Sequence, residues 1–163
     1  MKALPVVIAL LPVLSFLGVL LYLDSYKLVK LRDVIVVVVF GAAMAGASYL
    51  ANAQVLAVVD IEFHTFSRYV APLTEEILKG LLILVMIRTH RIGFLVDAAI
   101  FGFAVGTGFA LVENLFYLQR LADAPTATWI VRGFGTALLH GGVQSIFAVW
   151  LLARAQPYPR ATR

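Results

Sequence analysis

An all-α, polytopic transmembrane bundle of about five helices is the fold class this sequence predicts, and three observations predict it. The chain is 62% hydrophobic and only 13% charged, roughly half the charge share of an ordinary soluble domain. Its apolar residues gather into windows of about 20 residues, the length that crosses a hydrocarbon core as a helix. Lys and Arg sit in the short segments between windows, as membrane insertion distributes them. Within 163 residues the windows leave no room for a sizeable soluble domain, so 1–163 reads as a single membrane domain. The net charge of +4 is dispersed rather than patched, so the expected surroundings are a lipid bilayer and no nucleic acid. The absence of Cys removes disulfides, thiolate metal sites, cysteine nucleophiles and iron–sulfur ligation.

The first window, 4–23, is longer than a signal-peptide core and no A-x-A-like site follows it, so it reads as a retained anchor. The second, 34–51, opens on a β-branched run, Val34 to Val39, that favours a strand in water. It continues into the small residues Gly41 to Ser48, which complete a spanning helix. Residues 53–69, with Asp60, Glu62 and His64 among aromatics, read as an external loop lying along the interface. The third window is 70–87, the fourth 94–118 and the fifth 129–152, with a short flexible tail at 155–163. Lys27, Lys30, Arg32, Arg88, Arg91, Arg154, Arg160 and Arg163 fall on one side, eight of the 13 Lys and Arg. By the positive-inside rule that side is cytoplasmic, which puts the N-terminus outside and the C-terminus inside.

Four ionisable residues fall inside windows where hydrocarbon is expected: Glu75, Glu76 and Lys79 in the third and Glu113 in the fourth. Each costs about 2.5–3.5 kcal/mol near a membrane centre, so they must satisfy one another, face a wet cavity or perform chemistry. Lys79 lies four residues after Glu75 and three after Glu76, within reach of either carboxylate on one helical face. Two adjacent carboxylates out of bulk water resist double ionisation and leave an acid beside a base, an arrangement suited to activating water. In the fifth window Arg132, Thr136, His140 and Gln144 recur every four residues, a polar stripe on an apolar helix. Depth agrees: the glutamates open the third window, Glu113 closes the fourth, and His140 lies about 16 Å into the fifth at 1.5 Å per residue. Gly102 and Gly106 form a small-xxx-small face that allows close helix approach.

Other readings compete. Thr74 as an N-cap after Pro72 would put both glutamates in an exposed first turn, but a helix starting there is too short to cross. Asp97 reads as a membrane-edge residue, and Phe109, Phe116 and Tyr117 as ordinary packing. His64 and His90 fall in loops. Zinc accepts Glu and His, yet no H-E-x-x-H spacing is present and one span alone offers histidine. The expectation is therefore no cofactor, with zinc possible but not favoured.

Three motifs stand in order: Glu75-Glu76-Ile77-Leu78-Lys79, then Gly108-Phe109-Ala110-Leu111-Val112-Glu113-Asn114, then Arg132 followed by His140. Together they resemble the PrsW family of glutamic intramembrane proteases, distant relatives of the CAAX-processing and Abi membrane proteases. The resemblance runs from Pro72 to Gln144; Gln144 departs from it, standing where the relatives carry Asn or Asp. It implies a helical bundle in a bacterial or archaeal cell membrane. It also implies cleavage of a membrane-tethered protein on the external side, such as an anti-sigma factor, and catalytic roles for Glu75, Glu76, Glu113 and His140. Lys79, Asn114, Arg132 and Gln144 are then the supporting residues. A proton or cation transporter and a non-catalytic membrane scaffold are the alternatives from other classes.

Overall fold

The structure is a computed structural model that describes residues 3–24 and 29–155. Lys2, Lys27, Arg160 and Arg163 and all of the expected tail beyond Ala155 lie outside the described residues. Among the described residues there is helix and no strand. The long helices are α1 (Ala3–Leu23), α2 (Leu31–Val58), α3 (Ala71–Arg88), α4 (Leu95–Arg120) and α5 (Thr126–Ala155). All but α3 are long and apolar enough to cross a membrane. The 18-residue α3 carries Glu75, Glu76, Lys79 and Arg88, so the helix that falls short on apolarity is the one that holds the acidic pair.

Each helix overruns its hydropathy window by one to seven residues at one or both ends, while α3 and α4 start one residue inside theirs. Apolar windows trace only hydrocarbon, whereas helices continue into polar flanks such as Asp33 and Arg120. The largest departure corrects the expected loop at 53–69. Its first part, through Val58, belongs to α2, whose run Ala51-Asn52-Ala53-Gln54 is rich in good helix formers. Its second part is helical again at Phe63–Thr65 and Phe66–Val70, the latter a π-helical turn leading into α3. Thr74 is not an N-cap: its hydroxyl donates back to the Val70 carbonyl at 3.1 Å within a continuing helix.

The core is organised around α4. It is 72% buried over its apolar window, against 22% for α1 and α2, and the run from Ile100 to Ala110 is buried on every face. It is packed by α2, α5 and α1, while α3 lies against α2 and the second half of α5. The outer faces of the remaining helices show Leu, Val and Ile, for example Leu11, Val39 and Ile146. In lipid such residues need no partner, so helix association must come from close packing and polar ties.

That packing runs through glycine. A Cβ built on Gly106 would collide with the His140 carbonyl, and one on Gly102 would lie 2.8 Å from the Gln144 carbonyl carbon. The backbones of α4 and α5 therefore touch at the two levels where α5 carries its polar residues. At α1, Pro12 cannot donate to the Ile8 carbonyl, and α5 comes against that carbonyl through Gly133, which has no side chain to hold it off.

Candidate active site

The side chains of α3, α4 and α5 meet in one chain of polar contacts. Glu76 accepts from Lys79, one turn further along α3, in a close ion pair. The fully buried Lys79 ammonium also lies 2.8 Å from His140 Nδ1. On its other side, His140 Nε2 lies 2.8 Å from Glu113 Oε2, and Arg132 Nη2 is 3.3 Å from Glu113 Oε1. Gln144 closes the opposite end by donating to Glu76 Oε2 at 2.6 Å. An ammonium can only donate, so Nδ1 accepts and Nε2 carries the proton given to Glu113.

Local helix geometry decides who takes part. Neighbouring residues on a helix diverge by about 100°, so Glu75 and Glu76 do not share one environment. Lys79 selects the carboxylate three residues back, although either spacing allowed contact. Glu75 makes no hydrogen bond or ion pair among the described residues and lies within electrostatic reach of Glu113, His140 and Lys79. The two adjacent glutamates make no hydrogen bond to each other among the described residues, although Glu76 too is within electrostatic reach of Glu75. On α5 the stripe meets the site at every level, with a π-helical stretch, Ala137–Gly142, carrying His140. Such stretches insert a residue into the α-helical repeat and frequently mark functional sites.

Asn114 does not touch the acidic cluster. Its amide donates to Thr136 Oγ1 and to the Ala9 carbonyl, both at 2.9 Å, and Thr136 donates in turn to the Arg132 carbonyl at 2.7 Å. It ties α4, α5 and α1 together one residue from Glu113. Asp97 accepts from the Phe94 N–H at 3.2 Å and closes the N-terminus of α4. His64 and His90 are exposed.

Two residues that read as ordinary packing belong to the site. Phe109 is buried with the Lys79 ammonium 4.3 Å from its ring centroid and the His140 ring 5.0 Å away. Tyr117 lies under the Arg132 guanidinium at 3.8 Å. A cation over an aromatic face is stabilised without a counter-ion, which suits charges held out of water. Their spacing was the available signal: Phe109, Glu113 and Tyr117 follow one another at intervals of four along one face of α4.

As arranged, the donor set is one imidazole and separated carboxylates. Among the described residues, no three His, Asp or Glu side chains converge as a metal site does. The space between Glu76 and His140 is taken by a cationic side chain.

An apolar helical bundle with half-buried carboxylates, an imidazole and a buried ammonium across three helices defines a polytopic membrane protein with a polar centre between its helices. The sequence pattern of the family described as PrsW family intramembrane metalloprotease matches residues 30–163. The chain belongs to the PrsW family and is an integral membrane protease. That match starts before α2 and runs past α5, so it takes in every helix except α1. Neither a curated protein nor a solved structure matches the chain.

Proposed function

We propose that this protease hydrolyses a peptide bond of a membrane-tethered protein with water activated by a carboxylate. Glu75 is the general base, because it is the acid of the cluster with no hydrogen bond or ion pair to occupy it. It takes a proton from water as the oxygen attacks the carbonyl carbon. Glu75 then returns that proton to the departing amine as the C–N bond breaks, while His140, with Nε2–H on Glu113 and Nδ1 on the Lys79 ammonium, holds the cluster together around the reacting atoms. Glu76, held by Lys79 and Gln144, places the ammonium beside that imidazole. Arg132 and Asn114 hold Glu113 and the three helices in register.

The observation that carries this reading is the unbroken line Gln144–Glu76–Lys79–His140–Glu113–Arg132 across α3 and α5 with Glu113 of α4 at its turn. Zinc does not fit the residues as they stand, since Lys79 holds the position between Glu76 and His140 Nδ1 and the other ring nitrogen is held by Glu113, and no step runs through a metal. The cluster lies near the start of α3, the end of α4 and the first half of α5. With the Lys and Arg bias of the loops, this favours cleavage toward the external side. The purified protein, incubated in detergent micelles with a fluorogenic peptide library, tests the mechanism. A variant carrying both Glu75→Gln and Glu76→Gln is expected to lose cleavage; normal cleavage by it rules the mechanism out.

A further inference from the structure

The polar line through the candidate site continues beyond Arg132 into α1. The Arg132 carbonyl accepts from Thr136 Oγ1 at 2.7 Å, and Thr136 accepts from the Asn114 amide at 2.9 Å. The same amide donates to the Ala9 carbonyl of α1, also at 2.9 Å. Asn114 and Ala9 are both fully buried, so no solvent competes for that bond.

A carbonyl inside an α-helix is ordinarily committed to the N–H four residues on, so an outside donor reaches one best where that ladder is opened. Pro12 opens it. It lies in the middle of α1 and is buried. It has no N–H for the Ile8 carbonyl, and its ring crowds that carbonyl and bends the turn open. The freed carbonyl faces Gly133 of α5, where a Cβ would collide with it and would lie 3.2 Å from Pro12 Cγ. The two helices therefore meet backbone to backbone at this turn, as Cα–H···O contacts require. The next carbonyl along, that of Ala9, is the one Asn114 reaches. Val13, just past the proline, packs against Ala110 of α4 and Ala137 of α5, which fixes the rotation of α1 beside the opening.

We propose that Pro12 is a positioning residue for the hydrolytic site: it opens α1 so that the Ala9 carbonyl holds Asn114, and through Thr136 and Arg132 this sets where Glu113 meets His140. This rests on the protease reading above and adds to it α1, the one long helix outside the matched residues. The path is short. Asn114 neighbours Glu113 on α4, Arg132 pairs with Glu113 at 3.3 Å, and Glu113 lies 2.8 Å from His140 Nε2. Proline is the poorest residue for a helix interior, so an α1 that served only as an anchor would gain from its replacement.

Pro12→Ala gives position 12 an N–H that the Ile8 carbonyl takes back, closing the ladder and drawing the Ala9 carbonyl in with it. The full chain in detergent micelles is assayed for kcat and KM on a fluorogenic peptide and for its thermal midpoint. The midpoint is expected to hold or rise, because alanine is the better helix former. At the same time kcat is expected to fall at least about tenfold, with KM within about twofold, as misplacement without lost binding produces. Lactate in place of alanine at position 12 makes an ester that again lacks the N–H but has no ring, and it is expected to return kcat to within about twofold of the unaltered chain. In an Asn114→Ala background, where the link is already cut, Pro12→Ala is expected to change kcat by less than about twofold. Equal kcat for Pro12→Ala and the unaltered chain, a joint fall of kcat and midpoint, or no recovery with the ester overturns the proposal. The link is also read without hydrolysis. In the nitrogen-15 spectrum the His140 Nε2–H signal, given to Glu113, is expected to move in Pro12→Ala and return with the ester; an unmoved signal overturns the proposal as well. A chain that cuts no peptide yet shows this movement counts against the protease chemistry and not against Pro12.

Discussion

The ammonium of Lys79 lies 2.8 Å from Nδ1 of His140 while also pairing with Glu76, so one buried cation joins a carboxylate of α3 to an imidazole of α5. Lys79 is fully buried, and its surroundings are these two partners and the Phe109 ring, 4.3 Å from the ammonium. The Glu76 side chain is 34% exposed, so loss of Lys79 leaves a carboxylate that water partly compensates, at about 1–3 kcal/mol.

Lys79→Met is therefore expected to lower stability by about 1–3 kcal/mol and to abolish cleavage. Adding Glu76→Gln to it removes the orphaned charge and is expected to restore most of the stability but none of the activity. Thermal unfolding in detergent, read beside peptide cleavage, checks both halves. A double variant no more stable than Lys79→Met alone contradicts the pairing.

Gly106→Ala adds no functional group and removes none, yet its methyl points at the His140 carbonyl. Overpacking of this kind costs about 1–3 kcal/mol, and here it separates α4 from α5 where Glu113 must meet His140. Cleavage is expected to fall by at least about 100-fold, the loss that misplacement by about 1 Å produces. Gly46→Ala, with nothing within 4 Å of its Cβ, is expected to leave activity and stability unchanged. Equal activity of the two variants would show that α4 and α5 do not meet as described.

Much of this arrangement was legible in the sequence, and the unread parts have physical reasons. Glu76, Lys79, Glu113, His140, Arg132 and Gln144 stood out because ionisable or amide groups in hydrocarbon are expensive, and all of them are in mutual contact. The choice between Glu75 and Glu76 was not legible, since spacings of three and four both permit a Lys79 contact and only the helix rotation decides. Phe109 and Tyr117 escaped because an aromatic residue beside charge looks the same in sequence as one beside lipid. The helical stretch from Ala53 to Val58 escaped because hydropathy reports apolarity, not helicity.

Arg132 makes two contacts of different kinds, an ion pair to Glu113 at 3.3 Å and a stack on Tyr117 at 3.8 Å. The flat guanidinium serves both at once and an ammonium does not. Arg132→Lys is expected to keep the fold but reduce cleavage roughly tenfold, with about 1 kcal/mol lost from the cation–aromatic contact. Tyr117→Phe is expected to retain activity and Tyr117→Leu to resemble Arg132→Lys. Full activity of Tyr117→Leu would assign the stack no part in holding Glu113.

The family description contains a metal, and the geometry makes a definite statement about where one would have to sit. Lys79 stands between Glu76 Oε1 and His140 Nδ1, 3.7 Å apart, and is bonded to both, and the other ring nitrogen of His140 is held by Glu113 at 2.8 Å. A zinc ion there would displace the ammonium into hydrocarbon, at a cost of several kcal/mol for an unpaired buried charge, and leave the site short of the three or four protein ligands zinc takes. Cleavage by the purified protein is therefore expected to stay within about twofold on treatment with 1,10-phenanthroline, and added zinc is expected to give no increase. Because a metal-ligating imidazole binds only when unprotonated and freed from other partners, zinc should also leave the thermal midpoint unmoved. Loss of activity on chelation, restored by zinc together with a raised midpoint, would require Lys79 to swing out of the cluster and would transfer its role to the metal.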